Sequence, residues 1–271
     1  MVPARRSSGS RRRERCATTS PQSVLFETFL AQILAVEAPV PPPPPELPAF
    51  TCPSGMLPVE GVHYENIQRL CTDLRGIQCF AFAPGFVAKE PRATPIRVCI
   101  DQYEWPNRAG ENPVVMVRFV EAEALCKNAG KRLCTEFEWE MACEGPNTNP
   151  FPYGFKNDPA ACNTRKPYKS ISEKRLNSSS TEVRDAETKR LWQGAPSGTF
   201  PACRSHFGVS DLTGNIEEWV TTMRPEWPYV SSLKGGFWSK PWAGCRGTND
   251  SHGPMFRFYE VGFRCCKDPA P

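Results

Sequence analysis

The stretch NPVVMVRFVEAEALCKNAGKRLCTEFEWEMACEG, from Asn112 to Gly145, carries the clearest structural signals in this chain of 271 residues. Its first part predicts a helix over about 119–128, because apolar side chains recur at helical spacing along one face: Phe119, Ala122, Leu125, Cys126 and Ala129. Gly130 then supplies a left-handed stop. The apolar face of this helix is most simply a core surface.

A second helix is predicted a few residues after that glycine. Thr135 is a suitable N-cap, and Glu138, three residues later, completes a capping box. The helix runs through Trp139 and Met141 to Gly145, and its apolar residues are again explained as core. Two main helices are therefore expected in the middle of the chain.

The rest of the chain predicts short strands and many loops. It contains 29 prolines and 19 glycines, which disfavour a helical bundle. GMLPVEG (55–61) and PIRVCIDQYEWPN (95–107) read as strands, since branched and aromatic residues are bounded by Gly, Pro and Asn. The polar, charge-mixed stretch 165–190 is predicted to be an exposed insertion.

The charge distribution argues against a nucleic-acid partner. The net charge is only +4, and most of the excess lies in one N-terminal run: Arg5, Arg6, Arg11, Arg12, Arg13 and Arg15. Such a run is typical of a solvated tail or of the head of an export signal. No basic stripe interleaved with aromatic residues occurs elsewhere, so no nucleic-acid binding is predicted.

Thirteen cysteines indicate an oxidising compartment. They form no CxxC pair, and only three histidines are present, so a zinc ribbon or finger has little support. Setting Cys16 aside leaves an even number, which is compatible with disulfides in an exported protein. Cys71 and Cys79 bound a compact loop that one local bridge would close, although each could instead pair with a more distant cysteine.

Two parts are predicted along the chain. Residues 1–49 form a leader with an Arg-rich head, the apolar stretch SVLFETFLAQILAVEA and the stiff spacer PVPPPPPELP. The apolar stretch is too short and too interrupted by Glu27 and Gln32 for a transmembrane helix. It reads either as a weak secretory signal or as an uncleaved, partly helical leader. Residues 50–271 are predicted to form the ordered domain.

The order of several motifs resembles the formylglycine-generating enzyme (sulfatase-modifying factor) family. AGKRLCTEFEWEMAC (129–143) resembles the family's helix–loop–helix signature, and FGVSDLTGNIEEWV (207–220) resembles a segment beside its core and metal. Four further stretches resemble family motifs in the same order: GMLPVEG, IDQYEWPN (100–107), LKGG (233–236) and GFRCC (262–266). The resemblance covers about Cys52 to Asp268 and implies a complex, loop-rich α+β fold related to C-type lectins, with short strands and two main helices.

The resemblance also implies two disulfides. Family members link the first helix to the GFRC cysteine and the second helix to the catalytic-region loop, which places Cys126 with Cys265 and Cys143 with Cys245. Cys266 lies next to Cys265, so the first pairing stays open by one residue. The remaining cysteines have no assigned counterparts: Cys52, Cys71, Cys79, Cys99, Cys134, Cys162 and Cys203.

A structural calcium ion is implied in the same way. The positions that match the family ligands are the side chains of Asp211 and Glu218 and the carbonyls of Gly214 and Ile216, all oxygen donors that suit Ca²⁺. The alternative is that Asp211 and Glu218 cap turns on the surface. A possible second site begins at Asn163 and Thr164, but its acidic partner has no match.

The family's catalytic cysteine pair is missing. The enzyme binds copper through two cysteines between the glycine pair and the structural cysteine, and soft thiolates suit cuprous copper. Here that stretch is GGFWSKPWAGC, from Gly235 to Cys245, with only the final cysteine. We therefore predict no copper site and no formylglycine-generating activity.

The same region predicts a ligand groove instead. His206, Trp238, Trp242 and Arg246 would offer aromatic faces beside polar groups, which suit a peptide or a glycan. Alternatively, Trp238 fills core space and the single His206 is structural. The predicted function is an exported, non-catalytic binding domain. The alternatives are a diverged oxidoreductase acting on a protein or small molecule, and a structural domain of a surface assembly.

Overall fold

The computed structural model describes residues 50–88, 90, 92–223, 226, 228–240 and 244–270. The predicted leader, residues 1–49, lies outside the described residues. The strands are β1 Met56–Tyr64, β2 Ile67–Gln68, β3 Cys71–Arg75, β4 Gln78–Phe82, β5 Val87–Ala88, β6 Ala93–Asp101, β7 Arg132–Leu133, β8 Glu217–Thr221, β9 Ser231–Lys234, β10 Thr248–Asn249, β11 Val261–Phe263 and β12 Cys265–Lys267. The helices are α1 Phe119–Asn128, α2 Glu136–Glu144, α3 Glu173–Leu176 and α4 Thr181–Leu191. None of the helices in these ranges is long and apolar enough to cross a membrane.

The first sheet joins the two ends of the domain. Its strand order is β1-β6-β12-β7, and β1 and β6 pair antiparallel over their full length, from Met56 opposite Asp101 to Tyr64 opposite Ala93. Both long strands overlap the segments that the sequence predicts as strands, but β1 continues to Tyr64 and β6 begins earlier, at Ala93. Val59 and Val98 are fully buried where this sheet packs under α2. The fold is α+β with short strands, as expected.

The second sheet is built from the segments that carry the family resemblance. Its strand order is β10-β9-β8-β11, with β8 parallel to β11 and antiparallel to β9. The residues of β8 from Glu217 to Val220 are buried although two of them are glutamates. Those charges are therefore placed inside the domain, where they need partners.

The two predicted helices have the predicted bounds. In α2, Thr135 Oγ1 accepts a hydrogen bond from the Glu138 backbone N–H, and the Glu138 side chain accepts one from the Thr135 N–H. Gly130 follows α1 with φ +69°, a left-handed conformation that glycine adopts without strain. Trp139 of α2 is fully buried in the main core.

The stretch 165–190 departs from the prediction of a simple exposed insertion. It contains α3 and most of α4, whose surfaces are largely exposed. Leu176 and Leu191 are nevertheless buried and pack in one cluster with Trp238 and Tyr259. Two short helices form here because each contributes one apolar anchor to the core.

Six disulfides cross-link the described domain. Two of them, Cys126–Cys265 and Cys143–Cys245, are the pairs that the resemblance implies. Cys266 bonds to Cys134 and not to α1, and the loop at Cys71 and Cys79 is closed locally. The two remaining bridges are Cys52–Cys99 and Cys162–Cys203.

A buried ionic network ties the first sheet to the second through α2. His63 Nε2 lies 2.7 Å from Glu140 Oε2, and Lys234 Nζ donates to Glu140 Oε1 at 2.7 Å. Burial raises the pKa of Glu140, but the hydrogen bond from His63 and the charges of Lys234 and Arg246 outweigh it and lower this pKa to about 2. The ionised Glu140 carboxylate is therefore a structural element of the core.

Glu140→Gln is expected to destabilise the domain by about 3 kcal/mol at neutral pH, the linkage value of its lowered pKa. This stabilisation is complete above the ordinary pKa of 4.5 and is lost as pH falls toward 2. Urea unfolding at pH 7, 4.5 and 3 measures the free energy of unfolding. On acidification this free energy should fall less for the variant than for the wild type. Glu123→Gln, on the exposed side of α1, is the control. Parallel pH profiles for Glu140→Gln and the wild type would contradict the assignment.

Candidate functional site

The turn from Asp211 to Asn215 is held in an unusual backbone conformation. Asp211 and Asn215 have φ values of +62° and +56°, which residues with a Cβ rarely adopt. Gly214, at φ +76°, has no alternative, because a Cβ there would lie 2.5 Å from the Asn163 carbonyl oxygen. Strained backbone of this kind concentrates at functional or metal sites.

Asp211 and Glu218 both point into the interior and not onto the surface. Asp211 Oδ2 accepts a hydrogen bond from the Gly198 N–H at 2.7 Å. Glu218 accepts two hydrogen bonds from Arg264, at 2.6 and 2.7 Å, and one from Trp139 Nε1 at 2.9 Å. Their exposed fractions are only 3% and 1%, so neither is a surface turn cap.

A third carboxylate lies in the same neighbourhood. Glu104 is fully buried and accepts hydrogen bonds from Asn215 Nδ2 and Ser197 Oγ. We call Glu104, Asp211, Glu218 and Arg264 the Arg264 cluster. Glu104 lies within the predicted strand segment 95–107, just after the end of β6, but no pattern in the sequence marks it as a partner of the distant turn.

The Arg264 cluster carries more acid than base. Burial raises the pKa of Glu104 well above its ordinary value, and the carboxylates of Asp211 and Glu218 raise it further. Burial likewise raises the pKa of Asp211 to about 6 against the opposing Gly198 hydrogen bond and Arg264 charge. One guanidinium therefore does not balance three carboxylates, and the remaining charge favours a cation.

The predicted ligands of both calcium sites lie close together. Asn163 Nδ2 donates to Asn215 Oδ1, and the Asn163 carbonyl accepts the Asn215 N–H, both at 2.9 Å. Asn163 Oδ1 is buried and has no hydrogen-bond partner among the described residues. An orphaned oxygen beside an acid-rich cluster fits a hard cation. Glu218 also fits, since a carboxylate retains acceptor capacity after three hydrogen bonds.

The three described residues of the predicted groove, Trp238, Arg246 and His206, do not line one cavity. Trp238 is fully buried against Trp192, as its core interpretation requires. Arg246 is held by two hydrogen bonds to Glu144. His206 lies on the surface against Gly145, and Trp242 lies outside the described residues.

A different cavity lies on the described surface, with a volume of about 640 Å³. We call it the Glu260 cavity. Its charged and polar wall includes Arg118, Glu217, Lys240, His252, Arg257 and Glu260, and its apolar wall includes Phe237, Phe256 and Phe258. These residues come from well-separated segments, so the sequence offers no local pattern that would have joined them.

The Glu260 cavity adjoins the loop in which the family carries its cysteine pair. Phe237 and Lys240 of that loop line it. Lys240 donates to Glu217 Oε1, and Asn249 Nδ2 donates to Glu217 Oε2 at 3.3 Å. Cys245, at the end of the loop, is bonded to Cys143 and is not available as a thiolate.

Two acids of this cavity lie in different surroundings. Burial raises the pKa of Glu260 well above its ordinary value, and the nearby Glu217 carboxylate raises it further. Glu217 is held in an ion pair by Lys240. A carboxyl whose pKa is raised, beside a carboxylate in an ion pair, suits donation of a hydrogen bond or transfer of a proton.

Comparison with known proteins identifies the family. Residues 93–269 match the family model described as the sulfatase-modifying factor enzyme 1-like domain. The formylglycine-generating enzyme of Mycobacterium tuberculosis is 36% identical over 123 residues, covering 43% of this chain and 35% of that enzyme. The hercynine oxygenase of Mycolicibacterium smegmatis is 33% identical over 120 residues, covering 44% of this chain and 24% of that enzyme.

A similar solved structure is also known. PvdO from Pseudomonas aeruginosa superposes with a TM-score of 0.49 and 18% identity, covering 78% of this chain and 92% of PvdO. This chain spans only about a quarter to a third of the length of the two sequence relatives. The match of most of the ordered chain to one family model decides the assignment. The chain belongs to the family of sulfatase-modifying factor enzyme 1-like domains, which includes the formylglycine-generating enzymes.

Proposed function

We propose that this domain is a binding member of the family that lacks the cysteine–copper oxidase centre and binds a peptide segment in the Glu260 cavity. The observation that carries the proposal is the state of the cysteines around the loop 235–245. Cys143 and Cys245 are bonded to each other, and the other described cysteines are also in disulfides. No thiol pair therefore remains in the described residues to bind cuprous copper beside the cavity.

The lining of the cavity favours a peptide over a glycan. Hydrogen-bonding and charged groups of both signs surround aromatic side chains, as a backbone with mixed side chains requires. His252 stacks on Phe256, with ring centroids 3.7 Å apart, so one face of that ring is already covered. The cavity therefore offers little open aromatic surface on which a sugar ring could stack, and its polar wall is more extensive.

The number of disulfides supports an oxidising compartment for this protein. Six bridges in one domain persist in an oxidising environment and not in a reducing cytosol. We propose that the protein is exported or luminal, where a peptide ligand would be a segment of another exported protein. Intact-mass analysis of the natural protein without reductant should show all six bridges, and free thiols in most molecules would contradict this.

The binding proposal is tested with arrays of immobilised hexapeptides and of glycans, probed with the purified chain. We expect saturable binding to a subset of peptides and little to glycans. His252→Ala should weaken peptide binding about tenfold, the size of one lost polar contact. His206→Ala, on a surface outside the cavity, is the matched control. Saturable binding to glycans alone, or to neither array, would refute the proposal.

We further propose that Ca²⁺ binds at the Arg264 cluster through Asp211, Gly214, Ile216 and Glu218. A bound cation would supply the missing positive charge and fix the strained turn. At a calcium concentration a hundredfold above its Kd, stabilisation should be about 2.7 kcal/mol. That corresponds to a rise in Tm of roughly 5–10 °C for a domain of this size.

The calcium measurement compares melting curves in chelator, in excess Ca²⁺ and in excess Mg²⁺. Mg²⁺ should stabilise less, because it demands tighter octahedral geometry. Asp211→Asn should abolish the calcium response, whereas Asp185→Asn on the exposed surface of α4 should preserve it. Equal Tm values for the wild type in Ca²⁺ and in chelator would show the assignment to be wrong.

A second candidate function is a diverged oxidoreductase. Two relatives bear the names of oxygen-using or formylglycine-generating enzymes, and the Glu260 cavity holds several titratable side chains. The discriminating experiment loads the purified chain with Cu(I) or Fe(II) and measures oxygen consumption with a cysteine-containing peptide. Turnover that is lost in Glu217→Gln would favour this candidate over a purely binding role.

A further inference from the structure

Arg257 presents a positive charge to the Glu260 cavity without a partner. It lines the cavity and is half-buried, and its guanidinium makes no hydrogen bond or ion pair with the described residues. Burial lowers the pKa of Arg257, and the charges of Arg118 and Arg184 lower it further. Two like charges and partial burial make this guanidinium a strong candidate for an external anion.

The other basic groups nearby are already engaged. Arg118 donates to Glu121 Oε1 at 2.9 Å, and Arg184 donates to the carbonyls of Ser178 and Ser179. Glu173 also lines the cavity, but it is not among the charges that act on Arg257. The one carboxylate whose charge opposes these effects on Arg257 is Glu121, and it is already paired with Arg118. No carboxylate of the described residues forms an ion pair with Arg257 itself.

Glu260 supplies a second unused group in the same cavity. It is 6% exposed, and its Oε2 atom has no hydrogen-bond partner among the described residues. Glu217, the neighbouring acid, is engaged by Lys240 and Asn249. A protonated Glu260 carboxyl has one O–H to donate, and a ligand carbonyl would accept it.

We infer that the Glu260 cavity is specific for a peptide carboxylate, which Arg257 binds while the Glu260 carboxyl donates to an adjacent carbonyl of the ligand. The inference rests on the proposed peptide-binding function. A peptide offers this combination in two places, the C-terminal carboxylate and the side chain of an acidic residue. Phe256 and Phe258, on either side of Arg257 in the chain, provide apolar surface for the rest of the segment.

The test uses N-terminally immobilised hexapeptides in matched free-acid and C-terminal-amide forms, with and without an internal glutamate, probed with the full chain. We expect at least tenfold tighter binding whenever a carboxylate is present, the size of one charge-assisted hydrogen bond. Loss of binding on amidation alone identifies the C-terminus as the source. If an internal glutamate restores binding of the amide peptide, an acidic side chain can also be the source of the carboxylate.

Variants of the two named residues complete the test. Arg257→Gln should remove the preference for carboxylate-bearing peptides, and Arg108→Gln, an exposed arginine outside the cavity, should retain it. Glu260→Gln keeps a donor and should bind nearly as the wild type, whereas Glu260→Leu should bind about tenfold more weakly. If the wild type binds the amide peptide without glutamate as tightly as the peptides that carry a carboxylate, the inference is overturned but peptide binding is preserved. Absence of binding to every peptide overturns the proposed function as well.

Discussion

Arg264→Met is expected to destabilise the domain by about 3–5 kcal/mol, the usual cost of removing one partner from a buried ion pair. Arg264 is completely buried and donates to both oxygens of Glu218 and to the Ser210 carbonyl. Without it, the Arg264 cluster holds only carboxylates. The free energy of unfolding, from guanidinium chloride titration in the presence of chelator, measures the effect.

The matched control is Arg108→Met, because Arg108 forms an exposed pair with Glu111. An exposed pair of this kind contributes at most about 1 kcal/mol. The double variant Arg264→Met with Glu218→Leu should recover part of the lost stability, since replacing a buried pair with apolar side chains is often neutral. A loss below about 1 kcal/mol for Arg264→Met in chelator would contradict the prediction, because it would mean that water already compensates Glu218.

The helical parts of the fold could be predicted because their signals are local. The capping box of Thr135 and Glu138 and the left-handed Gly130 each act within a few residues, and the structure contains both. β8 gives no such signal, because Glu217 and Glu218 interrupt the apolar pattern expected of a buried strand. Their partners, Lys240 and Arg264, are supplied by distant segments.

In the candidate site, too, one part could be predicted from the sequence and another could not. The turn from Asp211 to Asn215 could be located from the sequence, because the family resemblance carries over residue by residue. The Glu260 cavity could not, since Arg118, Glu217, His252 and Glu260 meet only through the long-range packing of the second sheet. For Trp238 the sequence allows a groove or a core position and favours the core, and its burial against Trp192 and Tyr259 places it there.

The neighbouring disulfides Cys126–Cys265 and Cys134–Cys266 are expected to be strongly non-additive. They close nearly the same loop, with sequence separations of 139 and 132 residues. While either bridge is intact, the other closes only the short stretch between Cys126 and Cys134 plus one peptide unit. In the chain-entropy model, removing one bridge therefore costs about 2–3 kcal/mol, whereas removing both costs about 7–8 kcal/mol.

The measurement is a double-mutant cycle on the two bridges, with each cysteine pair replaced by alanine and unfolding followed in guanidinium chloride. All four cysteines are fully buried, so the small cavities left behind add to each single loss but do not produce coupling. The bridge Cys71–Cys79, which closes a separate loop, is the control and should add independently to either one. If the two single losses simply sum to the loss in the quadruple variant, the stabilisation arises from local packing. A much larger combined loss would show that the pair of bridges restricts the unfolded chain as one cross-link between α1 and the C-terminal strand.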